Sequence, residues 1–299
     1  VTTLDRLAYM GRRGMGALEF NPARGAHRES AEPLAMKSLV EAARQVIHAD
    51  LSGDVQAQAA LANIIRVGTS AGGARAKAVV AWNPLSKEIR SGQFDAAPGF
   101  EHWLLKFDGV GHDAELGSSA DYGRIEYAYH LMASAAGIRM SPCRLLEESA
   151  RAHFMTRRFD RDVVDGATVR HHVQTLCAMS HLDYKQRATH AYAQLFMTVA
   201  RLRLGDEALG QAFRRMTFNV LAKNCDDHPK NFAFRLKQGG NWELAPAYDL
   251  THAHNPRGQW TYQHLLSVNG KFSGITRSDL LVEADRFGVR RPLDALADV

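Results

Sequence analysis

The sequence predicts an α+β fold in two parts, a small lobe that contains β-strands followed by a lobe that is mostly α-helical. Two observations lead to this prediction: short β-type runs dominate the first half of the chain, and long helical periods dominate the second half. With 299 residues, 45% of them hydrophobic, the chain is long enough for one large core or two moderate ones. We expect an N-terminal domain at residues 1–156 and a C-terminal domain at residues 157–299.

Each predicted element follows from its local pattern. Apolar residues at helical spacing predict helices at residues 33–50, 121–137 (with Gly137 as the C-cap), 185–204, 206–223 and 276–299. Short β-type runs predict strands at residues 63–68, 77–83, 102–108 and 153–161. Two further runs, 231–236 and 242–248, flank a turn that contains Gly239 and Gly240 and therefore predict a hairpin.

The composition excludes several classes of protein. No segment reaches the roughly 20 apolar residues of a membrane helix, so we expect a cytoplasmic protein without a membrane partner. The three cysteines form no CxxC pair, which argues against a disulfide framework and a structural zinc site. The net charge of +5 is compatible with an acidic partner or with an ordinary solvated surface, and arginines are dense only at residues 151–161.

The segment with the sharpest chemical spacing is residues 226–231, Asp-Asp-His-Pro-Lys-Asn. An Asp followed five residues later by an Asn is the spacing of a protein-kinase catalytic loop, although an Asx-rich turn has a similar composition. In such a loop Asp226 accepts the proton of the attacking hydroxyl and Asn231 ligates Mg²⁺, which prefers hard oxygen ligands. We expect Asp249 to supply the second metal ligand, because the predicted hairpin would carry both groups to the same end.

Upstream segments supply the other groups that phosphoryl transfer needs. A loop of small residues at 68–74 joins two predicted strands, so its backbone amides could close on phosphates as in a kinase glycine-rich loop. Lys106 lies on a predicted strand and Glu126 lies on the helix that follows, which is the order of the kinase lysine and its glutamate partner. Each feature alone is also explained by a turn or by a solvated side chain, but together they predict a bilobal protein-kinase-like fold.

Two other functions remain open from the residues alone. A metal-dependent phosphohydrolase could use ligands from Asp226, Asp227, His228, Asp249, His252 and His254. That hypothesis does not explain the glycine loop or Lys106. A catalytically weak pseudokinase that serves as an interaction or co-repressor module is the second alternative. The presence of Asp226, Asn231 and Asp249 together counts against it, because a degenerate kinase commonly lacks one of these groups.

Five motifs carry a family resemblance: residues 70–77 (SAGGARAK), Glu126-Tyr127-Ala128 with Ala136-Gly137-Ile138, 158–161 (RFDR), 224–232 (NCDDHPKNF) and 244–250 (LAPAYDL). They resemble the HipA family of serine/threonine toxin kinases from type II toxin–antitoxin systems. They span most of the chain, and the last two are highly specific to the family. Most of the N-terminal subdomain usual in the family is expected to be absent, and Arg157 stands where the family commonly has an acidic residue.

The resemblance implies residue roles. It implies an ATP site formed by Gly72, Gly73, Ala74, Arg75, Ala76, Lys77, Lys106, Arg157, Arg158, Phe159, His228, Pro229, Lys230, Asn231, Tyr248 and Asp249. The catalytic group would comprise Asp226, Asn231, Asp249 and Lys106, with Mg²⁺ on Asn231 and Asp249. Autophosphorylation of Ser70, in the nucleotide loop, would switch the kinase off.

The resemblance also implies partners. Family members phosphorylate a protein substrate, an aminoacyl-tRNA synthetase being the known type of target. A helix-turn-helix antitoxin holds them inactive and binds operator DNA, so DNA would be contacted only indirectly through the antitoxin.

Overall fold

A computed structural model describes residues 2–11, 14–24, 40, 76–93, 95–109, 112–113, 117–118, 121–148 and 150–299. The chain divides into two compact units. Unit 1 comprises Val1–Arg124 and Pro142–His172, and unit 2 comprises Ile125–Ser141 and Val173–Val299. The predicted single boundary between residues 156 and 157 does not match these units, because a long hairpin after that point stays with unit 1 and most of one helix goes with unit 2.

Unit 1 is built on a five-stranded antiparallel sheet in the order β2-β1-β3-β7-β6. Its strands are β1 (Lys77–Trp82), β2 (Ile89–Ser91), β3 (Glu101–Lys106), β6 (Cys143–Glu148) and β7 (Arg151–Arg157). The predicted strands at 77–83 and 102–108 are confirmed. Their aromatic residues form the core, where the rings of Trp82 and Trp103 pack edge to face with centroids 5.7 Å apart.

Shorter elements complete unit 1. They are helix α1 (Thr3–Met10), strand pair β4 (His112–Asp113) with β5 (Gly117–Ser118), and hairpin β8 (Arg161–Val164) with β9 (Ala167–Arg170). The single strand predicted at 153–161 is wrong in one respect: the chain leaves β7 after Arg157 and begins β8 at Arg161. The physical reason is the side-chain pairing of Arg158 with Asp160, which occupies the residues between the two strands.

Helix α2 (Tyr122–Ala135) confirms the helix predicted at 121–137. Gly137 has a φ of 72°, and it donates a backbone hydrogen bond to Ser134 while Ile138 donates to Ala133. This is a Schellman C-cap, which satisfies the last carbonyls of the helix and favours glycine at the left-handed position. The predicted role of Gly137 is therefore confirmed.

Unit 2 is mainly helical. It contains α3 (Leu176–Met179), α4 (Tyr192–Arg201), α5 (Gly205–Leu221), α6 (Arg277–Arg286) and α7 (Pro292–Asp298), together with β10 (His172–Thr175), β11 (His190–Ala191), β12 (Ala233–Leu236), β13 (Trp242–Leu244) and β14 (Leu266–Ser267). Strands β10, β12 and β13 form one sheet, and β11 pairs in parallel with β14. The facing sides of α4 and α5 contribute Leu195, Phe196, Phe213 and Met216 to its core.

Two helix predictions in this unit need correction. The helix predicted at 185–204 begins only at Tyr192, because residues 190–191 pair as a strand with residues 266–267 and Ala188 has a left-handed φ of 56°. Distant backbone partners thus outweigh local helical spacing. The helix predicted at 276–299 is two helices, interrupted by Gly288 with a φ of 66°. The helix at 206–223 is confirmed as α5.

Two other predictions fall largely outside the described residues. These are the strand at 63–68 and the helix at 33–50, of which Val40 alone is described; it is helical and lies in the core of unit 1. Throughout the described ranges, no helix combines the length and the apolar character needed to cross a membrane.

Candidate active site

Residues 224–231 form a loop that follows α5. Backbone hydrogen bonds fix its start, and a short 3₁₀ turn forms its end. After Ala222 caps the helix, Lys223 adopts a left-handed φ of 55° and turns the chain. Asn224 then donates a backbone bond to Asn219 (2.9 Å), and Cys225 donates one to Ala253 (2.9 Å). The loop ends in a 3₁₀ turn (Pro229–Asn231) that leads directly into β12. A turn with proline in its first position is compact, so the loop geometry is well defined.

Asn231 is tied to the segment of Asp226. Its Nδ2 donates to the backbone oxygen of Asp226 at 2.7 Å, and its backbone amide donates to that of His228 at 2.9 Å. Because a carbonyl oxygen only accepts, the atom facing it must be the amide nitrogen, and Oδ1 must point the other way. Asn231 therefore presents a hard oxygen of the kind that Mg²⁺ takes as a ligand.

The side chains around Asp226 are polar and accessible. The Asp226 side chain is 47% exposed, and His228 Nε2 lies 3.8 Å from its Oδ1. The other ring nitrogen of His228, Nδ1, is buried and has no hydrogen-bond partner among the described residues. Lys230 Nζ lies 3.2 Å from the ring centroid of Tyr184, a cation–π contact that holds the lysine beside the loop. The buried His228 Nδ1, which has no partner among the described residues, is more consistent with a site that binds a polar ligand than with an ordinary protein interior.

The hairpin brings the Asp249 segment back to this loop, as predicted. Strands β12 and β13 pair antiparallel, and Ala245 extends the ladder with a backbone bond to Ala233 at 2.9 Å. Beyond it, Tyr248 Oη donates to the backbone oxygen of Lys230. Asp249 itself adopts a left-handed φ of 52°, which aspartate tolerates better than most residues. The open end of one hairpin therefore carries both the Asp226–Asn231 segment and Asp249.

A buried arginine supports the same segment. Arg215 on α5 is 1% exposed, and its Nη2 donates to the backbone oxygen of Ala245 at 2.7 Å. Burial, and then the positive charge of Arg139, lower the pKa of Arg215 to about 9. Arg139 donates in turn to the backbone oxygen of Leu244 at 3.0 Å. Two cations thus fix the carbonyl groups of the chain leading to Asp249.

In unit 1, Lys77 and Lys106 are paired across the sheet. They are partners in the register of β1 and β3, and the backbone amide of Phe107 donates to the oxygen of Ala76 at 3.0 Å. The Lys106 residue is 6% exposed, and its Nζ lies 5.6 Å from the ring centroid of Phe154. Glu126 is buried on α2. The remaining residues of the predicted nucleotide loop, Ser70, Gly72, Gly73, Ala74 and Arg75, lie outside the described residues.

Arg158, Asp160 and Arg161 form an interior salt-bridge cluster, whereas the Arg157 side chain is 40% exposed. Arg158 binds Asp160 with two bonds, Nε to Oδ1 at 2.9 Å and Nη2 to Oδ2 at 2.7 Å, and Arg161 Nη1 lies 2.9 Å from the same carboxylate. Burial alone would raise the pKa of Asp160, but the two guanidinium groups outweigh burial and lower it. Asp160 also accepts the amide of Gly16 at 2.7 Å. Much of the arginine-dense segment is therefore a buried structural cluster.

Two residues of the predicted ATP site, Arg157 and Arg158, use their backbone amides for bonds within the protein. Arg157 N donates to the oxygen of Pro142 at 2.9 Å, and Arg158 N donates to that of His102 at 2.9 Å. Phe159 is partly buried between β7 and β8. Since both of these amides and the Arg158 guanidinium are engaged, a nucleotide contact in this segment would use other groups, such as the carbonyl oxygens, the Phe159 ring or the guanidinium of Arg157, whose side chain is 40% exposed.

The structure also identifies a residue group that sequence patterns missed. Asp227, which is 0% exposed, accepts hydrogen bonds from Tyr192 Oη (2.7 Å) and the backbone amide of Leu265 (2.7 Å), and it pairs with His264 Nδ1 (2.9 Å). These partners are 35 to 38 residues away in sequence and carry no motif. In the sequence, Asp227 stood out only as part of the 224–232 motif and as a candidate metal ligand, and nothing there indicated its burial or its partners.

This geometry disfavours the phosphohydrolase hypothesis. The Asp227 carboxylate is engaged by protein donors, and His254 Nδ1 faces Cys225 Sγ at 3.7 Å and the oxygen of Thr261 at 3.2 Å. Across the described part of the chain, no group of three or more His, Cys, Asp or Glu side chains could hold a metal ion. A Mg²⁺ site needs no such group of three ligands, because two protein oxygens can be completed by phosphates and water.

Comparisons with known proteins agree with these features. The family model of the HipA-like C-terminal domain matches residues 69–298. A comparison with curated proteins gives no match.

The matching solved structures include the following two. One is the Shewanella oneidensis MR-1 toxin–antitoxin complex of HipA, HipB and operator DNA, with a TM-score of 0.72, 18% identity, and coverage of 99% of this chain and 69% of that chain. The other is the Helicobacter pylori proinflammatory kinase CtkA, with a TM-score of 0.39, 11% identity and 52% of each chain covered. The first likeness shows the fold, and it agrees with the predicted α+β, kinase-like class.

Proposed function

This chain belongs to the family defined by the HipA-like C-terminal domain, and on that premise we propose that it is an ATP- and Mg²⁺-dependent protein serine/threonine kinase of the HipA type. The observation that carries the proposal is the open end of the β12–β13 hairpin. There the Asn231 amide is fixed on the backbone of Asp226, and Tyr248 is bonded to the backbone of Lys230 beside Asp249. A base and two hard-oxygen ligands on adjoining segments are what phosphoryl transfer requires.

Each group has a separate role in this proposal. Bound Mg·ATP supplies the phosphoryl group that is transferred. Asn231 Oδ1 and the Asp249 carboxylate would hold Mg²⁺, while Lys106 would neutralise charge on the phosphates. Asp226 would orient the acceptor hydroxyl and take its proton as the new oxygen–phosphorus bond forms and the bond between the γ-phosphorus and the β–γ bridging oxygen breaks, so that the products are ADP and a phosphoprotein. Catalysis by positioning and charge stabilisation suits a reaction in which the protein forms no covalent bond itself.

The nucleotide would be held by groups from segments that are far apart in the sequence. Gly72 to Lys77 would surround the phosphates, and Arg157 to Phe159 would lie on the adenine side. His228, whose buried Nδ1 has no protein hydrogen-bond partner among the described residues, would offer a polar contact next to Pro229 and Lys230. An unsatisfied buried nitrogen costs about 1–3 kcal/mol, which a ligand acceptor or donor would recover.

The partners follow from the family. We propose a protein substrate phosphorylated on serine or threonine, a helix-turn-helix antitoxin as the inhibitory partner, contact with DNA only through that antitoxin, and a cytoplasmic location. The similar Shewanella structure contains HipA with HipB and operator DNA, which supports the antitoxin partner. Autophosphorylation of Ser70 is proposed as the means of inactivation.

The test is intact-mass analysis of the purified chain after incubation with Mg·ATP, with calorimetry of nucleotide binding on the same samples. We expect one added phosphate on the wild type and none on Asp226→Gln or Ser70→Ala. The exposed Asp285 on α6 gives a matched control, because Asp285→Asn removes one carboxylate charge far from the proposed site in sequence. It should behave like the wild type.

The division of roles gives a second test. Asp226→Gln should retain Mg·ATP affinity within about threefold, because the base does not hold the nucleotide, whereas Asp249→Asn should weaken it by about tenfold or more through loss of a charged metal ligand. Equal loss of binding in both variants would contradict these roles. Nucleotide binding without any phosphate transfer, to Ser70 or to an added protein substrate, would favour the pseudokinase alternative.

A further inference from the structure

A buried charge pair lies directly behind the proposed base. Asp227 shares a peptide unit with Asp226, yet the two side chains have opposite environments: Asp226 is 47% exposed, whereas Asp227 is 0% exposed. The Asp227 carboxylate has three protein partners, namely Tyr192 Oη at 2.7 Å, Leu265 N at 2.7 Å and His264 Nδ1 at 2.9 Å. The carboxylate is thus fully engaged inside the protein and is not available to a substrate.

His264 is the cationic member of the pair. Its side chain is 7% exposed, and its Nε2 faces Cys225 Sγ at 3.9 Å. Burial alone would lower the pKa of His264, but the hydrogen bonds and charge of Asp227, followed by the contact with Cys225, raise the pKa to about 10. The pair is therefore charged at neutral pH, with Tyr192 and Cys225 as the other titratable side chains in contact with it.

A second layer connects this pair to helix α5. Tyr192 Oη accepts from Asn219 Nδ2 at 3.0 Å, and Asn219 Oδ1 accepts from Asn224 Nδ2 at 2.9 Å. On the opposite side, Cys225 N donates to the oxygen of Ala253 at 2.9 Å. The loop of residues 224–228 is therefore held by α4 and α5 on one side and by the segment 253–265 on the other. Buried hydrogen-bonded networks of this kind favour a single geometry.

We propose that the Asp227–His264 ion pair is a positioning clamp for the catalytic loop: it anchors Asp227 in the interior and thereby sets the direction in which Asp226 faces the acceptor hydroxyl. Asp227 and His264 are positioning residues, because they act through Asp226. The clamp rests on the proposed kinase function. Its purpose is orientation, and misplacement of a reacting group by about 1 Å can cost roughly 100-fold in rate.

The kinetic test uses two replacements of His264. His264→Leu removes the donor to Asp227, while His264→Asn places a neutral amide donor near the position of Nδ1. We expect His264→Leu to lower kcat by roughly 100-fold with the KM for ATP changed less than about threefold, and His264→Asn to recover most of the loss. If His264→Leu does not fold, Tyr192→Phe removes one of the three donors and should lower kcat by about tenfold.

Asp279 provides the matched control. It is 3% exposed in the same unit and accepts bonds from Asn269, Lys271 and Thr276 at the start of α6. Asp279→Asn should destabilise the protein but leave kcat within about threefold of the wild type, because this carboxylate is not bonded to the catalytic loop. An equal fall in kcat for Asp279→Asn and His264→Leu, or no recovery in His264→Asn, would overturn the clamp.

Hydrogen–deuterium exchange separates the clamp from the proposed function. Under native conditions, His264→Leu should raise the exchange rate of the amides of residues 225–231, other than Pro229, by about tenfold or more while the amides of α5 stay protected, and His264→Asn should stay near the wild type. Unchanged exchange in the loop would overturn the clamp whether or not the wild type is active. If the wild type transfers no phosphate, the kinase proposal fails, and this exchange result alone decides whether the clamp exists.

Discussion

Two glycine-to-alanine replacements in helices should change stability in opposite directions. Gly123, in the first turn of α2, lies against strand β7: a Cβ there would be 1.8 Å from the backbone oxygen of Ala152 and 3.0 Å from its carbon. Gly210, in the middle of α5, has nothing within 4 Å of the same position. Both glycines are helical, so only the surroundings distinguish them.

The magnitudes follow from these distances. Ordinary contact begins near 3.4 Å, so Gly123→Ala requires the helix and strand to separate by roughly 1.5 Å in a close-packed interior. Strand β7 is paired on both sides, with β3 and β6, and cannot move alone. We expect a loss of about 3 kcal/mol in the free energy of unfolding, at the upper end for overpacking. Gly210→Ala should gain up to about 1 kcal/mol from helix propensity.

The assay is urea denaturation followed by circular dichroism and by tryptophan fluorescence. Trp82 and Trp103 are buried in unit 1, so part of the fluorescence signal reports on the unit that contains Gly123, while Trp242 and Trp260 report on unit 2. The reasoning is refuted if Gly123→Ala unfolds within about 0.5 kcal/mol of the wild type, or if both variants change stability in the same direction.

Three further predictions concern buried polar groups. Asp160→Asn should cost about 3 kcal/mol in urea denaturation, because it leaves buried guanidinium groups without their carboxylate; a cost below about 1 kcal/mol would contradict this. Tyr248→Phe should cost about 1 kcal/mol by removing the donor to the oxygen of Lys230 and should weaken Mg·ATP binding measured by calorimetry; unchanged stability and binding would count against the hairpin-end geometry. His264 has a raised pKa of about 10 in the folded protein and a pKa of about 6.5 in the unfolded chain. The stability that its charge contributes to the folded protein is therefore complete below about pH 6.5 and is lost as pH rises towards 10. The difference in unfolding free energy between the wild type and His264→Asn should therefore shrink by at least about 1 kcal/mol over that range, and a constant difference would argue against a charged imidazole.

Local patterns were sufficient where the deciding contacts are close in sequence. Gly137 ends α2 because its own helix supplies the carbonyls that the cap satisfies, with partners only three to five residues away. The β12–β13 hairpin follows from two β-type runs around a glycine turn. The spacing of Asp226 and Asn231 predicted that both residues lie in one loop, and in the structure Asn231 Nδ2 donates to the backbone oxygen of Asp226.

Local patterns failed where a distant segment competes for the same backbone or side chain. The helical spacing of residues 185–191 is overridden because residues 190–191 find strand partners at 266–267. The arginine density around Arg158 did not indicate which side chains are buried; in the structure Arg158 and Arg161 pair with Asp160 in the interior. A pattern of charges in sequence does not state which of them become buried together.

The sequence by itself determined the family, the fold class and the order of the proposed chemical groups, because these depend on residue types at short, fixed spacings. The tertiary structure alone decided which carboxylate of the Asp226–Asp227 pair faces solvent and which is buried. That choice depends on Tyr192, His264 and Leu265, which the packing of α4 and the 264–268 segment brings to Asp227 from 35 to 38 residues away. A buried carboxylate is stable only where such donors meet it, and only the folded chain brings them together.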